Sequence, residues 1–214
     1  MEIKLPKRYN EKANDSFRTK RNLYLFSKAV NNSWQNFGLE DFRQFEIEVE
    51  LVKEYTGIYW QYEPGHEIKN GLKINEVQNQ IELKEKELKD ELEQFRLDYI
   101  SQTFPAKYPV EQFQKLIDSE KCAYCGITIP IVNELANKQE LFKKNYRGWS
   151  LEIDRKDSNL EYTPENCVMA CYWCNNAKTD EFTYNEFKIV GETIRKIWEN
   201  RLRKPFESYT TLTD

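Results

Sequence analysis

Two Cys-x-x-Cys pairs, Cys122-Ala-Tyr-Cys125 and Cys171-Tyr-Trp-Cys174, carry the strongest chemical signal in this chain. Between them run Leu151-Glu152-Ile153-Asp154-Arg155 and then Glu161-Tyr162-Thr163-Pro164-Glu165-Asn166, and Asn175 follows directly on the last cysteine. Four thiolates at this spacing can close a tetrahedral zinc site. Such a staple would fix Asp154 and Asn175 relative to each other across a long gap in sequence. An Asp and an Asn held together beside a zinc knot suggest a second, catalytic metal. The fifth cysteine, Cys167, reads as a small buried apolar residue, because four thiolates already satisfy zinc.

These residues need elements to position them. Trp149, Leu151 and Ile153 alternate with Ser150, Glu152 and Asp154, which on a strand turns three apolar side chains to the core and sets Glu152 and Asp154 together on the other face. Asp157, Ser158 and Asn159 lead through a turn to a second short strand, Cys167-Val168-Met169-Ala170, which delivers the second cysteine pair. Cys174 is expected to open a helix through Lys178. A capping box, Thr183-Tyr184-Asn185-Glu186, then starts a final helix expected to bury Phe187, Val190, Ile194, Ile197 and Trp198.

The rest of the chain reads as helical. Leu23, Phe26, Val30, Trp34 and Phe37 recur at helical spacing up to Gly38. Residues 42–52 fit both periods, and the abundance of Glu and Lys favours helix. Pro64-Gly65 marks a turn. From about 72 to 102, Ile74, Val77, Ile81, Leu88, Leu92, Phe95 and Tyr99 define a long amphipathic helix; packing on its own domain is favoured, with a homodimer or a partner protein through this helix left open. Pro105 and Pro109 place a boundary near 104, dividing a helical region 1–104 from a domain 105–214. A short helix with Val110, Phe113, Leu116 and Ile117 on one face follows, and residues 131–146 read as a helical insertion.

The net charge of −4 conceals local basic faces, since Lys and Arg concentrate in 1–28 and 188–204 while Asp and Glu dominate 40–100. Local faces govern contact with phosphate backbones. No apolar run suits a membrane span and no leader is evident, so a cytoplasmic setting is expected. Thiols stay reduced there, which favours metal over disulfides.

Across residues 120–185, Cys-x-x-Cys-Gly, Leu-Glu-Ile-Asp, Asn166 and Cys-x-x-Cys-Asn-x-x-Lys together closely resemble the HNH endonuclease family. The resemblance implies an α+β chain, mostly helical, with a C-terminal zinc-stapled ββα-metal module. It implies Cys122, Cys125, Cys171 and Cys174 as structural zinc ligands, Asp154 and Asn175 as ligands of a catalytic Mg²⁺ or Mn²⁺, and Asn166 as a loop brace. The implied activity is hydrolysis of DNA phosphodiester bonds, in a phage, mobile-element, restriction or defence setting.

One position departs from the family. Arg155 stands where the family usually has the His that takes a proton from the attacking water, and a guanidinium stays protonated. Asp-Arg ahead of a Tyr-Thr-Pro-Glu-Asn turn is nevertheless similar to a pattern of phage-type and mobile-element relatives. Glu152, sharing the face of Asp154, is the first candidate for base or further ligand, and Asp157 the second. His66, the only histidine, lies far off in sequence. Arg155 and Lys178 are the expected phosphate contacts. The alternative is a catalytically silent zinc module that binds nucleic acid or a protein, with Arg155 its main support.

Overall fold

The computed structural model describes residues 5–59, 65–68, 71–141 and 147–206. The chain divides into two compact units, residues 1–110 with 159–163, and residues 111–158 with 164–214. The division thus falls six residues beyond the expected position, and it assigns a short stretch between the two expected strands to the first unit.

The first unit is helical. α1 (Tyr9–Val30) buries Ala13, Phe17, Leu23, Tyr24 and Phe26. It ends where Asn31 and Asn32 turn the chain: Asn32 adopts φ 46, and the Ser33 N–H reaches back to Lys28 O at 3.0 Å. Asn tolerates this left-handed conformation better than most residues. A three-residue 3₁₀ turn at Trp34–Asn36 and α2 (Leu39–Gln44) follow. Residues 45–48 are not helical, with Phe45 and Glu48 extended, so the expected helix is confined to α3 (Val49–Lys53) and a π-helical stretch, Glu54–Tyr59. Phe45 is drawn out of helical register to place its ring edge-on to Tyr24, at 5.4 Å. Pro64 lies outside the described residues; Gly65 is in a turn.

The long amphipathic segment is two helices, α4 (Ile74–Glu87) and α5 (Lys89–Asp98), broken at Leu88 (φ −103, ψ 25). No Gly or Pro marks the break. A π-helical turn, Tyr99–Thr103, then leads into α6 (Phe104–Lys107). Pro105 therefore sits at the start of a helix, where a missing N–H costs little; the chain leaves helix at Tyr108, before Pro109. Ile74, Val77, Ile81, Leu92, Phe95 and Tyr99 are buried within the unit, with Phe95 stacked on Phe42 at 5.2 Å.

A buried polar cluster completes this core. The Tyr99 hydroxyl donates to the Glu161 carboxylate and accepts from Ser16, whose Oγ in turn accepts the Tyr162 N–H at 3.0 Å. Lys107 lies 2.7 Å from Glu161. Lys20, 1% exposed, donates to Arg43 O at 3.1 Å, and burial lowers its pKa to about 8. The unfolded chain holds that proton up to about 10.5. Between these values the unfolded state binds more protons, so stability should rise with pH there, by no more than about 3 kcal/mol. Above about pH 10 the sign reverses: burial holds the Tyr9 hydroxyl up to about 12 and Tyr24 and Tyr99 higher still, so unfolded tyrosines ionise first. Urea titrations from pH 7 to 10 should show the rise in wild type and a flat profile in Lys20→Met.

In the second unit, α7 (Val110–Ile117), which belongs to it from Glu111 on, precedes the first cysteine pair and α8 (Ile129–Asn137) follows it, its N-cap Thr128 accepting from Ile131 N. Of the rest of the expected helical insertion, 138–141 is not helical and 142–146 lies outside the described residues. β1 (Glu152–Arg155) pairs antiparallel with β2 (Cys167–Ala170), Glu152 opposite Ala170 and Arg155 opposite Cys167. Trp149 precedes the strand and is exposed, contrary to the expected apolar face, while Leu151 packs against the core. α9 (Tyr172–Lys178) opens at Tyr172 with Cys171 as N-cap, two residues before the expected start. α10 (Tyr184–Leu202) begins with the capping box, Thr183 N–H to Glu186 Oε2 at 2.9 Å. It buries Phe187, Gly191, Trp198 and Leu202, but Val190 and Ile197 are exposed, because Gly191 and not its apolar neighbour lies on the packed face. Among the described residues no helix is long and apolar enough to cross a membrane.

Candidate metal centre and acidic strand

The four paired cysteines converge. Cys122, Cys125, Cys171 and Cys174 are all buried, and their sulfurs lie within 4.8 Å of one another. The Cys125 and Cys171 sulfurs are 3.7 Å apart. A tetrahedral ion with bonds of about 2.3 Å sets its sulfurs about 3.8 Å apart, so the group can hold a metal ion such as zinc. Local backbone bonds shape the first pair: Gly126 N–H donates to Cys122 O and Cys122 N–H to Ile127 O, both at 2.9 Å, with Gly126 at φ +74 where a side chain would be strained. Ala123 N–H donates to Met169 O at 2.8 Å, stitching this knuckle to β2. The buried thiols cannot all ionise alone; hydrogen bonds from its neighbours hold Cys122 down as the thiolate, which pushes Cys125 and Cys174 up. A bound cation would remove that conflict. Cys167 is buried, opposite Arg155, outside this group.

Beside the cysteines, β1 meets α9 in two rungs. Residues two apart share a strand face, and residues three apart share a helix face. Accordingly Asn175 Nδ2 donates to Glu152 Oε2 at 2.6 Å, and Lys178 Nζ lies 3.8 Å from Asp154 Oδ2. Asn175 therefore meets Glu152, and Asp154 meets Lys178. Lys178 is 1% exposed and also donates to Arg155 O at 3.0 Å, so its ammonium is spent inside the unit and not offered to a phosphate.

The two carboxylates differ in surroundings. Asp154 Oδ2 accepts from the Tyr124 hydroxyl at 2.5 Å. Burial pushes its carboxyl above the usual carboxylate range, while the Tyr124 hydroxyl, Lys178 and Arg155 pull the other way. Glu152 is gripped by the Arg147 guanidinium at 3.0 and 3.2 Å, and that guanidinium stacks on the Tyr172 ring at 4.7 Å. With one oxygen also taken by Asn175, Glu152 orients the amide; it is poorly placed to take a proton.

Asn166 joins the two ends of the connection between the strands. Its Oδ1 accepts Asp157 N–H at 2.9 Å and its Nδ2 donates to Asp157 O at 3.0 Å. Its carbonyl accepts Lys156 N–H at 2.7 Å. Asp157 is exposed there. Arg155 is half-buried at the end of β1, and His66, exposed, belongs to the first unit.

Tyr124, Arg147 and Tyr172 take part in this site and were not singled out from the sequence. Two of them are aromatics inside or beside metal-spaced cysteine pairs, where a bound metal ion would hold the backbone still, and that was the available signal.

No family profile matches the chain, and no curated protein matches it. Among solved structures it is similar to the rare-cutting HNH restriction endonuclease PacI, at 32% identity and a TM-score of 0.34, over 46% of this chain and 63% of that one. The chain thus spans less than two thirds of that protein's length, and so low a TM-score establishes no shared fold.

Proposed function

We propose that the second unit is a zinc-stapled, metal-dependent endonuclease of HNH type that hydrolyses DNA phosphodiester bonds. The observation that supports this reading is the paired rung itself: two carboxylates on one strand face set against an amide and a buried ammonium on a helix, beside a four-cysteine cluster. A binding module needs no such internal carboxylate array. Zinc is the structural ion of the reading, since four buried sulfurs at tetrahedral spacing suit it.

Asp154 and the amide oxygen of Asn175 are the proposed holders of a catalytic Mg²⁺ or Mn²⁺, and the donor chemistry fits: hard oxygen ligands, sheltered but not sealed, with the Asp154 side chain 11% exposed. Bound there, a divalent ion would supply Lewis-acid stabilisation of charge on the scissile phosphate. The chain's own groups do the rest. Glu152, held by Arg147, turns Asn175 so that its Nδ2 is occupied and its oxygen is presented. Arg155 binds a non-bridging phosphate oxygen. The proton from the attacking water passes to Asp157 or to bulk solvent, since Glu152 is already engaged. Lys156, 5.3 Å from the Tyr184 ring centre, and Lys188, 4.8 Å from it, add positive charge along the same unit for the backbone of the nucleic acid.

A silent zinc module is the second reading, favoured by one observation: Asp154 already has an internal cation in Lys178. Purified protein incubated with plasmid DNA, with and without Mg²⁺ or Mn²⁺, decides between them. Divalent-dependent nicking or linearisation supports the nuclease; its absence on duplex, single-stranded and branched DNA supports the module.

A further inference from the structure

Tyr124 lies inside the first cysteine pair, and three sets of contacts fix it. Its backbone is part of the knuckle closed by Cys122 and Cys125. Its ring meets Phe187 edge-on at 5.1 Å and lies 5.5 Å from the Tyr184 ring. Helix α10 backs directly onto it: a Cβ at Gly191 would fall 2.7 Å from the Tyr124 carbonyl oxygen and 2.8 Å from its Cβ. Such distances are not tolerated, so glycine is required for this approach. A tyrosine hydroxyl moves only through backbone shift and two side-chain torsions, and both are constrained here.

Apart from a hydrogen bond from the Arg155 backbone, the Asp154 carboxylate has little support from its own element. It sits on a strand of four residues in a two-stranded sheet. Lys178 at 3.8 Å supplies charge but is beyond hydrogen-bond range and gives little direction. The Tyr124 hydroxyl at 2.5 Å supplies direction, since hydrogen bonds to an ionised acceptor are short and strongly oriented.

We propose that Tyr124 is a positioning residue that transmits the geometry of the zinc knuckle to the Asp154 carboxylate, fixing which carboxylate oxygen is turned toward a divalent ion. The proposal rests on the nuclease reading for its consequence, not for its geometry. In it, the staple of four cysteines has a second role: it holds the tyrosine that aims the acid. Partners that orient a metal ligand from outside the coordination sphere commonly govern affinity ~10–100-fold.

The test uses full-length, zinc-loaded protein and Tyr124→Phe, which keeps the ring and removes only the hydroxyl. Zinc content should be unchanged. Without added divalent ions, the carboxyl ¹³C resonance of Asp154 should move in Tyr124→Phe and stay in place in the control Tyr184→Phe. Mn²⁺ affinity, measured by calorimetry, should fall ~10–100-fold, and kcat should fall with KM for DNA unchanged. Gly191→Ala leaves the hydroxyl in place but displaces the tyrosine, and should change the Asp154 resonance and Mn²⁺ affinity in the same sense. An Asp154 resonance unmoved in Tyr124→Phe overturns the proposal, as does a moved resonance with wild-type Mn²⁺ affinity in a protein whose Mn²⁺ binding is lost in Asp154→Ala. A wild type whose Mn²⁺ binding is indifferent to Asp154→Ala, with the resonance still moved by Tyr124→Phe, upholds the positioning role and defeats the nuclease reading instead.

Discussion

Cys174→Ser, or prolonged chelation of the wild type, should cost the second unit its fold. The elements around the cysteines are small: two strands of four residues and a helix of seven. A two-stranded sheet and a helix of two turns are each marginal in water. The apolar contacts beside them, such as Trp173 edge-on to Trp198 at 5.1 Å, form only when the knuckles hold their segments in place. Structural zinc contributes about 10–16 kcal/mol of apparent binding free energy in small domains, and that binding free energy is folding free energy. Serine replaces a thiolate with a poor ligand and leaves three sulfurs crowded in a buried pocket. Near-ultraviolet circular dichroism should lose the tryptophan signature, and metal analysis should find zinc lost. Cys167→Ser should behave differently, keeping its zinc and costing only about 1–2 kcal/mol, the range for burying a hydroxyl in place of a small apolar group. Well-folded wild-type protein free of zinc would sink this account.

The sequence and the structure agree most closely where spacing alone carries the geometry. Cysteines three apart in paired knuckles can meet in few ways, and alternation around Ile153 sets Glu152 and Asp154 on one face whatever surrounds them. The final capping box was legible for the same reason, being a local bond pattern. Three features were not. The break at Leu88 has no Gly or Pro to announce it and depends on how α4 and α5 each pack. The burial of Gly191 ahead of Val190 depends on the close approach of α10 to Tyr124, which no helical period reports. The membership of 159–163 in the first unit rests on contacts such as Ser16 with Tyr162, separated by 146 positions. Lys178 shows the same limit within the site. Its place in Cys-Asn-x-x-Lys drew attention correctly, but the phosphate role expected of it gave way to a buried one because the helix turns it under β1.

Cleavage should respond to substitutions along the rung in a fixed order. Asp154→Ala removes the proposed metal-binding carboxylate and leaves Lys178 as an uncompensated buried cation, so divalent-dependent cleavage should be abolished at every pH. Glu152→Gln should be milder, since the amide can still accept a bond from Asn175 while losing the Arg147 pair; Mn²⁺ affinity should weaken within the ~10–100-fold range for an orienting partner. Arg155→Ala removes the guanidinium proposed to bind the phosphate, and losses of one charge-stabilising group run to ~10–10³-fold in turnover. Arg155→His tests the departure from the family pattern directly: an imidazole at this place supplies a base that titrates near neutrality, and activity should be kept or raised with a new dependence on pH between about 5 and 8. These variants are compared at matched zinc content, by initial rates on supercoiled plasmid in Mg²⁺ and Mn²⁺. Cleavage that survives Asp154→Ala comes from another nuclease in the preparation and removes the assignment of this site. Wild-type inactivity, with DNA affinity unchanged by Asp154→Ala, leaves the silent module as the function of the fold, because a carboxylate balanced by Lys178 and Tyr124 would then serve packing alone.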